Sequence, residues 1–349
     1  MRSLRVAVAG AGLGGLALAQ GLLRAGADVT VYERDADLAT RRQGYRLHLD
    51  ARAGLALDAT LPPESFARFQ ATSAQPSKRL TVTTERLRVL HEQVGADRGA
   101  DPYAVRRQYL PAAEPADTGT RCIYGKTPLG PDAPLAARFS DGFTAVVGGR
   151  IGMAIGVVRF RTPPQDLGLT PAQDYLMWGR AGDRECFGLP DTELTALDPA
   201  GLHALSAGLI RTWHPDLRAL HAAAGVDETF VVRVRTSPAV PAWPPSRVTV
   251  LGDAIHAMSP ARGSGANTAL QDAALLCRVL AADGSDVVAA IGDYERQMRE
   301  YGYAAVAASR QAEAETGARR NRLMFWLYRR LARDAPSARS GSGGAADAV

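Results

Sequence analysis

Leu4-Arg5-Val6-Ala7-Val8-Ala9-Gly10-Ala11-Gly12-Leu13-Gly14-Gly15-Leu16 stands near the start of the chain, and its reading decides the fold. Residues 4 to 9 read as a short apolar strand. Glycines follow in the spacing Gly10-x-Gly12-x-x-Gly15, and an apolar helical stretch continues to about Arg24. A second strand, residues 27 to 33, closes on Glu33, with Arg34 beside it. Strand, glycine turn, helix, strand and terminal acid make a βαβ unit, the context in which this glycine pattern is specific for a bound dinucleotide. Each glycine has a physical task. Gly10 allows the tight turn, Gly12 lets a pyrophosphate approach the backbone at the positive end of a helix, and Gly15 lets helix and strand pack closely. Gly14 lies in the same junction. The Glu33 carboxylate would accept from ribose hydroxyls and repel a 2′-phosphate, so the adenosine expected here is not that of NADP.

The chain has 349 residues, 46% hydrophobic and 22% charged, enough for one large core or two ordinary ones. A wholly disordered chain, a collagen and a disulfide scaffold are excluded on these proportions. Of the 41 basic residues only Lys78 and Lys126 are lysines, and the arginines are scattered rather than gathered into a nucleic-acid footprint. Cys122, Cys186 and Cys277 are far apart with no C-x-x-C spacing, which points to a reducing, cytoplasmic compartment and to no zinc site. No apolar leader precedes the first strand, and no apolar run approaches the roughly 20 residues of a membrane span. The basic amphipathic run from Arg319 to Arg333 could lie on an anionic membrane surface, but packing against the body of the protein is the favoured reading.

Texture changes along the chain. From about Gly142 to Gly188, alternating stretches such as Phe143-Thr-Ala-Val-Val and Val157-Val-Arg-Phe-Arg, then Asp174-Tyr-Leu-Met-Trp and Cys186-Phe-Gly-Leu, read as an antiparallel sheet. Asp198-Pro199 starts a helix with an N-cap acceptor and a proline at its first position. Residues 230 to 236 alternate again, and Val248 to Leu251 read as a buried strand ending in Gly252-Asp253. Helices are expected from Gly265 to Ala282 and from Asp286 to about Asp334, before a Ser/Gly/Ala-rich tail. The expected fold is α/β, a Rossmann-type domain interleaved with an antiparallel-sheet substrate domain and C-terminal helices. Its boundaries fall at residues 1–120 with 245–285, 121–244, 286–334, and a disordered 335–349.

The second constellation is Val250-Leu-Gly252-Asp253-Ala-Ile-His256-Ala-Met-Ser-Pro260-Ala-Arg-Gly263-Ser-Gly265-Ala266-Asn267, followed by Asp272. An aspartate at a strand end can accept from polyol hydroxyls, and the helix start that follows offers free backbone N–H groups. Together the two glycine motifs resemble the FAD-dependent aromatic hydroxylases, the single-component flavin monooxygenases with the p-hydroxybenzoate hydroxylase fold. Gln43-Gly-Tyr-Arg-Leu-His-Leu49, Gly125-Lys-Thr-Pro-Leu129 and Tyr175-Leu-Met-Trp178 carry the resemblance further, over roughly residues 4 to 60 and 120 to 315. It implies that Gly252 and Asp253 touch the ribityl chain and pyrophosphate, and that Pro260, Gly263, Gly265, Ala266 and Asn267 lie beside the flavin's pyrimidine edge. Arg42 corresponds to the family's arginine near the cofactor phosphates, with Arg41 and Arg46 as competitors.

The sequence departs from the family pattern between the second strand and the substrate sheet. Members carry there an arginine-bearing helix, a small β-meander and a strand ending in D-G-x-x-S-x-x-R. Here Val94-Gly-Ala-Asp97 is followed by Arg98-Gly99-Ala-Asp-Pro-Tyr-Ala-Val-Arg106, a damaged copy without the serine. Several tens of residues are missing, including strands that wall the adenosine and pyrophosphate site. Arg86-Leu-Arg-Val-Leu90 is either a remnant of the arginine helix or part of the preceding β-finger.

The resemblance implies FAD, reduction by NAD(P)H, and transfer of one oxygen atom from O2 to an apolar small molecule, aromatic or polyketide-like, in secondary metabolism. Phe143, Phe160, Tyr175, Trp178 and Phe187 would line that substrate. No side-chain nucleophile is required, and His48, His91 and His256 read as structural. Two other readings stand beside this one. One is a flavoprotein-fold enzyme that cyclises or isomerises a reactive substrate with FAD structural or lost, and the other is a non-catalytic remnant. Oligomeric state is not legible.

Overall fold

The computed structural model describes residues 4–36, 46–74, 79–94, 110, 114–130, 138–139, 142–282 and 286–316. Strand β1 (Arg5–Ala9), helix α1 (Leu13–Arg24) and strand β2 (Asp28–Tyr32) form the opening βαβ unit, with β1 and β2 parallel and in register from Arg5 opposite Asp28. Helix α1 buries Gly14, Gly15, Ala17, Leu18, Gly21 and Leu22 on one face. Small residues there let a second helix approach: a Cβ on Gly21 would stand 2.7 Å from Cys277 Sγ. Helices α2 (Ala51–Thr60) and α3 (Pro63–Thr72) follow, and Asp50 caps α2 by accepting from the Arg52 N–H. Among the described residues this region's sheet has two strands only, which accords with the shortening read between Glu33 and Asp97.

The second sheet has seven strands in the order β4-β3-β6-β7-β8-β5-β9. They are β3 (Arg79–Thr84), β4 (Val89–Val94), β5 (Ala116–Pro128), β6 (Gly142–Gly148), β7 (Ile151–Val158), β8 (Tyr175–Asp183) and β9 (Phe230–Thr236). All pairings are antiparallel except β3 with β6, which run parallel. Residues 79–94 therefore belong to this sheet. The choice left open for Arg86–Leu90 resolves to the β-finger, because those residues form the turn and first positions of the β3–β4 hairpin. Leu87 adopts φ 55° in that turn.

Helices α4 (Asp191–Ala196), α5 (Pro199–Leu209) and α6 (Pro215–Ala222) cover one face of the sheet. Asp198 caps α5 by accepting from the Gly201 N–H. Period-two alternation sends Leu176, Trp178 and Arg180 to that face, where Trp178 joins Ile123, Ile155, Phe187, Leu194, Leu202, Leu217 and Leu220 in one core. Burying such side chains stabilises by roughly 1.5–3 kcal/mol each. The fit is close: a Cβ on Gly125 would fall 2.2 Å from the Trp178 ring.

Three expectations are corrected. Cys186–Leu189 is not a strand, since Arg184–Phe187 forms a 3₁₀ turn that ends on Gly188 at φ 72°. Trp178 and Phe187 do not line a ligand site; their rings fill the core between sheet and helices. Val248–Leu251 is not a buried strand: Val248 is 54% exposed, and the stretch enters no ladder. The polar groups around it are taken by side chains instead, as described below. Beyond it come the single turn α7 (Asp253–His256), then α8 (Gly265–Ala281) and α9 (Val287–Thr316), which pack with α1 and α2 around Leu18, Leu22, Leu57, Leu270, Tyr294 and Met298. Residues 317–349, including the basic run and the tail, lie outside the described residues.

Candidate functional site

The first glycine turn is shaped by the absence of side chains. Gly10 sits at φ 110°, a conformation only glycine adopts without strain, and its N–H donates to Tyr32 O at 2.7 Å. A Cβ on Gly15 would stand 2.2 Å from the Gly10 carbonyl oxygen. Above Gly10 and Gly12, by contrast, nothing lies within 4 Å of a built Cβ. Gly12 caps α1 without a side-chain acceptor, and no acid occupies the first turn, so the helix itself supplies no anion to its positive end. Glu33 folds back onto this turn: Oε2 accepts from the Ala11 N–H at 2.8 Å and Oε1 from the Asp35 N–H at 3.0 Å. Arg34 pairs with Asp35 at 3.4 Å and its side chain is 71% exposed.

The second turn is built from hydrogen bonds. Gly252 lies at φ 61° and donates its N–H to Asp272 Oδ2 at 2.6 Å. The same oxygen meets His256 Nε2 at 2.6 Å, and Tyr301 donates to Asp272 Oδ1 at 2.6 Å. Asp272 and His256 are both fully buried. Burial and the Asp272 charge together hold the Tyr301 hydroxyl well above the usual phenol range. This hub was not legible in the sequence, because its hydrogen-bonded partners are 16 to 29 positions apart and share no spacing rule.

Asp253 is buried at the start of α7, and a Cβ on Gly265 would stand 4.0 Å from its Oδ1. Pro260 begins a 3₁₀ turn that Gly263 closes at φ 61°, and Gly265, Ala266 and Asn267 form the first turn of α8 with no side-chain cap from Ser264. The Asn267 side chain is spent on scaffolding: Nδ2 donates to His48 O and Gly263 O, both at 2.9 Å, and Oδ1 accepts from the Asp50 N–H at 2.8 Å. Asn267 thereby ties residues 48–50 to the start of α8, leaving its backbone as the part able to meet a ligand.

The two turns come together. A Cβ on Gly14 would stand 2.7 Å from Leu251 Cδ1 and 3.0 Å from Ala269 O, so α1 abuts both the approach to Gly252 and the first turns of α8. Two helix starts without acidic first turns, open space above Gly10 and Gly12, and a buried acid at Asp253 form a donor and acceptor set that fits FAD. Arg42 and Asp97 lie outside the described residues. Of Arg42's two competitors, Arg41 also lies outside the described residues, and Arg46 is buried, donates its N–H to Met177 Sδ and packs across Gly156. Segment 46–50 thus spans from α8 to the face of the seven-stranded sheet opposite the α4–α6 layer.

A profile of an FAD binding domain matches residues 215–309, and one of an NAD(P)-binding Rossmann-like domain matches residues 8–69. The chain is 30% identical over 385 positions to a dual O-methyltransferase/FAD-dependent monooxygenase of Cercospora beticola, covering 84% of this chain and 44% of that protein. This chain belongs to the FAD-dependent aromatic hydroxylase family.

A second dual O-methyltransferase/FAD-dependent monooxygenase, from Phaeosphaeria nodorum, is 29% identical over 83% of this chain and 42% of its own. The chain thus spans less than half the length of these curated relatives. An alignment of 385 positions that uses 84% of 349 residues leaves tens of the relative's residues without a counterpart, in keeping with the shortening. Among solved structures, an FAD-containing monooxygenase of Photorhabdus luminescens, described as putative in its own report, superposes with a TM-score of 0.75 at 28% identity, covering 89% of this chain and 98% of that one. The Klebsiella pneumoniae protein HpxO, solved with FAD and uric acid, shares the fold at a TM-score of 0.70 and 17% identity, over 96% and 94% of the two chains. Among the described residues no group of His, Cys, Asp and Glu could hold a metal, and no helix is long and apolar enough to cross a membrane.

Proposed function

We propose that the chain is an FAD-dependent monooxygenase that uses NAD(P)H and O2 to oxygenate an apolar, aromatic or polyketide-like small molecule in secondary metabolism. The observation that supports this is the meeting of the two glycine turns at Gly14, Leu251 and Ala269, where the halves of one dinucleotide site would adjoin. Monooxygenase names among the fungal dual-function relatives support the reaction class.

Bound FAD would supply the redox chemistry, taking a hydride from NAD(P)H and passing one oxygen atom of O2 to the substrate while the other leaves as water. The chain's residues supply binding and shelter. Gly10, Gly12, Gly14 and Gly15 would admit the pyrophosphate, Glu33 would accept from ribose hydroxyls, and Gly252 and Asp253 would hold the polyol chain. The N–H groups of Gly265, Ala266 and Asn267 would favour negative charge at the start of α8. Substrate would lie against the sheet face that carries Phe143, Tyr175 and Met177, where Tyr124 stacks on Phe230 at 5.5 Å. Tyr175 sits there beneath Lys126, and burial pushes its hydroxyl up to about 12, so it stays a neutral donor at working pH.

A second reading, non-redox cyclisation or isomerisation, draws on the two-stranded first sheet. One experiment separates the two. Purified full-length protein is titrated with FAD, its flavin absorbance recorded, and NAD(P)H oxidation followed under air with a panel of aromatic and polyketide compounds. A yellow protein whose NAD(P)H oxidation quickens with one compound is expected. A protein that takes up no FAD overturns the proposal, and conversion of a compound by the colourless protein establishes the second reading.

A further inference from the structure

Residues 248–251 enter no strand ladder, although they lead into the turn that the FAD reading requires to be fixed. Helix α9 supplies what the ladder does not. Tyr294, fully buried, donates its hydroxyl to Val250 O at 2.8 Å, and Thr249 donates to Glu295 Oε1 at 2.8 Å, with Glu295 1% exposed. About two turns further along, Tyr301 donates to Asp272, whose other oxygen holds the Gly252 N–H and His256. His256 is pressed against α9 as well: a Cβ on Gly302 would stand 2.7 Å from its ring. Packing alone does not ask for these polar atoms. Phenylalanine would fill the space of Tyr294, and a buried hydroxyl or carboxyl is costly unless it is bonded. Each of them is bonded to the stretch 249–252, directly or through Asp272.

We propose that α9 is the positioning element of the FAD turn, with Tyr294, Glu295 and, through Asp272, Tyr301 acting as positioning residues that hold residues 249–253 in the conformation FAD binds. The inference rests on the FAD reading above. It assigns this helix a role in cofactor affinity exerted through the turn.

The test measures FAD affinity of the full-length apoprotein by flavin fluorescence, beside its urea midpoint. Tyr294→Phe and Tyr301→Phe keep the packing and remove one hydrogen bond each, and each is expected to raise the FAD Kd about 5- to 10-fold. Asp272→Asn is expected to raise it further. Tyr301→Phe combined with Asp272→Asn should weaken binding by less than the product of the single effects, because the two residues act in series. Leu217→Ala, in the core behind the seven-stranded sheet, lowers stability far from the turn and should leave the Kd unchanged. Unchanged affinity in both tyrosine variants overturns the proposal, as does a Leu217→Ala variant that loses FAD to the same extent. Failure of the wild-type chain to bind FAD would overturn the parent reading and this one with it.

Discussion

The two glycine turns of the site are fixed by opposite means. At Gly10–Gly15 the backbone is set by side chains that are missing: Gly15 lies where a Cβ would collide with a carbonyl, and Gly14 lies where one would collide with Leu251. At Gly252–Asn267 the backbone is set by side chains that are present, Asp272, His256, Tyr301 and Asn267, through short buried hydrogen bonds. A steric device tolerates no addition and is nearly indifferent to polarity. A hydrogen-bonded one tolerates small changes of volume but not the loss of an acceptor. Two substitutions in the first turn sharpen that contrast. Gly15→Ala is expected to have the largest effect, destabilising by about 3 kcal/mol and abolishing FAD binding, because backbone must move to clear the new methyl group. Its urea midpoint and FAD titration check this. Gly12→Ala separates shape from ligand approach: open space above Gly12 predicts a stability change within about 1 kcal/mol, yet an FAD Kd raised roughly 30-fold or more as the methyl group blocks the pyrophosphate. A variant that binds FAD normally would mean that the phosphates lie elsewhere.

The same contrast explains what the sequence could and could not disclose. Steric devices leave a spacing, so the βαβ unit, its three glycines and Glu33 were legible, as were the Asp198 cap of α5 and the strand at Phe230–Thr236. Hydrogen bonds between segments distant in the chain leave no spacing. Nothing near Gly252 announces that its N–H finds Asp272 or that Tyr301 closes the far side, since these residues meet only after α8 and α9 pack. The misreading of Val248–Leu251 has this origin: an apolar run suggests a ladder, but here Tyr294 takes the Val250 carbonyl. Trp178 and Phe187 were misplaced for a different reason. Alternation shows that a strand has two faces but not which one a helix layer covers, and α4, α5 and α6 chose the face carrying Trp178.

Acid sets the sheet region apart from the cofactor region. Burial, then the Arg180 charge and His203, lower His221 to about 3, so the folded protein keeps this imidazole neutral. An unfolded chain would protonate it near 6.5, and the stability this gives is complete above that pH and fades as pH falls toward 3. The expected loss at pH 5 is on the order of 1 kcal/mol, after allowance for screening. His221→Phe should flatten the difference between urea midpoints at pH 7 and pH 5. An equally steep dependence in the variant would assign the acid sensitivity to another group.

The smallest effect is expected at Glu33, where the two devices compete for one side chain. Its carboxylate bonds the Ala11 N–H within the first turn, at 2.8 Å, and the ribose of a bound adenosine would draw on the same oxygens. Binding must therefore exchange an internal hydrogen bond for one to the ligand, which leaves little net gain from either. Glu33→Gln keeps one acceptor and removes the charge at an exposed position, so stability should scarcely move and the FAD Kd should rise only about threefold. A loss of a hundredfold at constant stability would instead show that the carboxylate is committed to the ligand and that its bond to Ala11 is incidental. The first turn would then owe its affinity to charge as well as to shape, and the contrast with the second turn would narrow to the residues that hold Gly252.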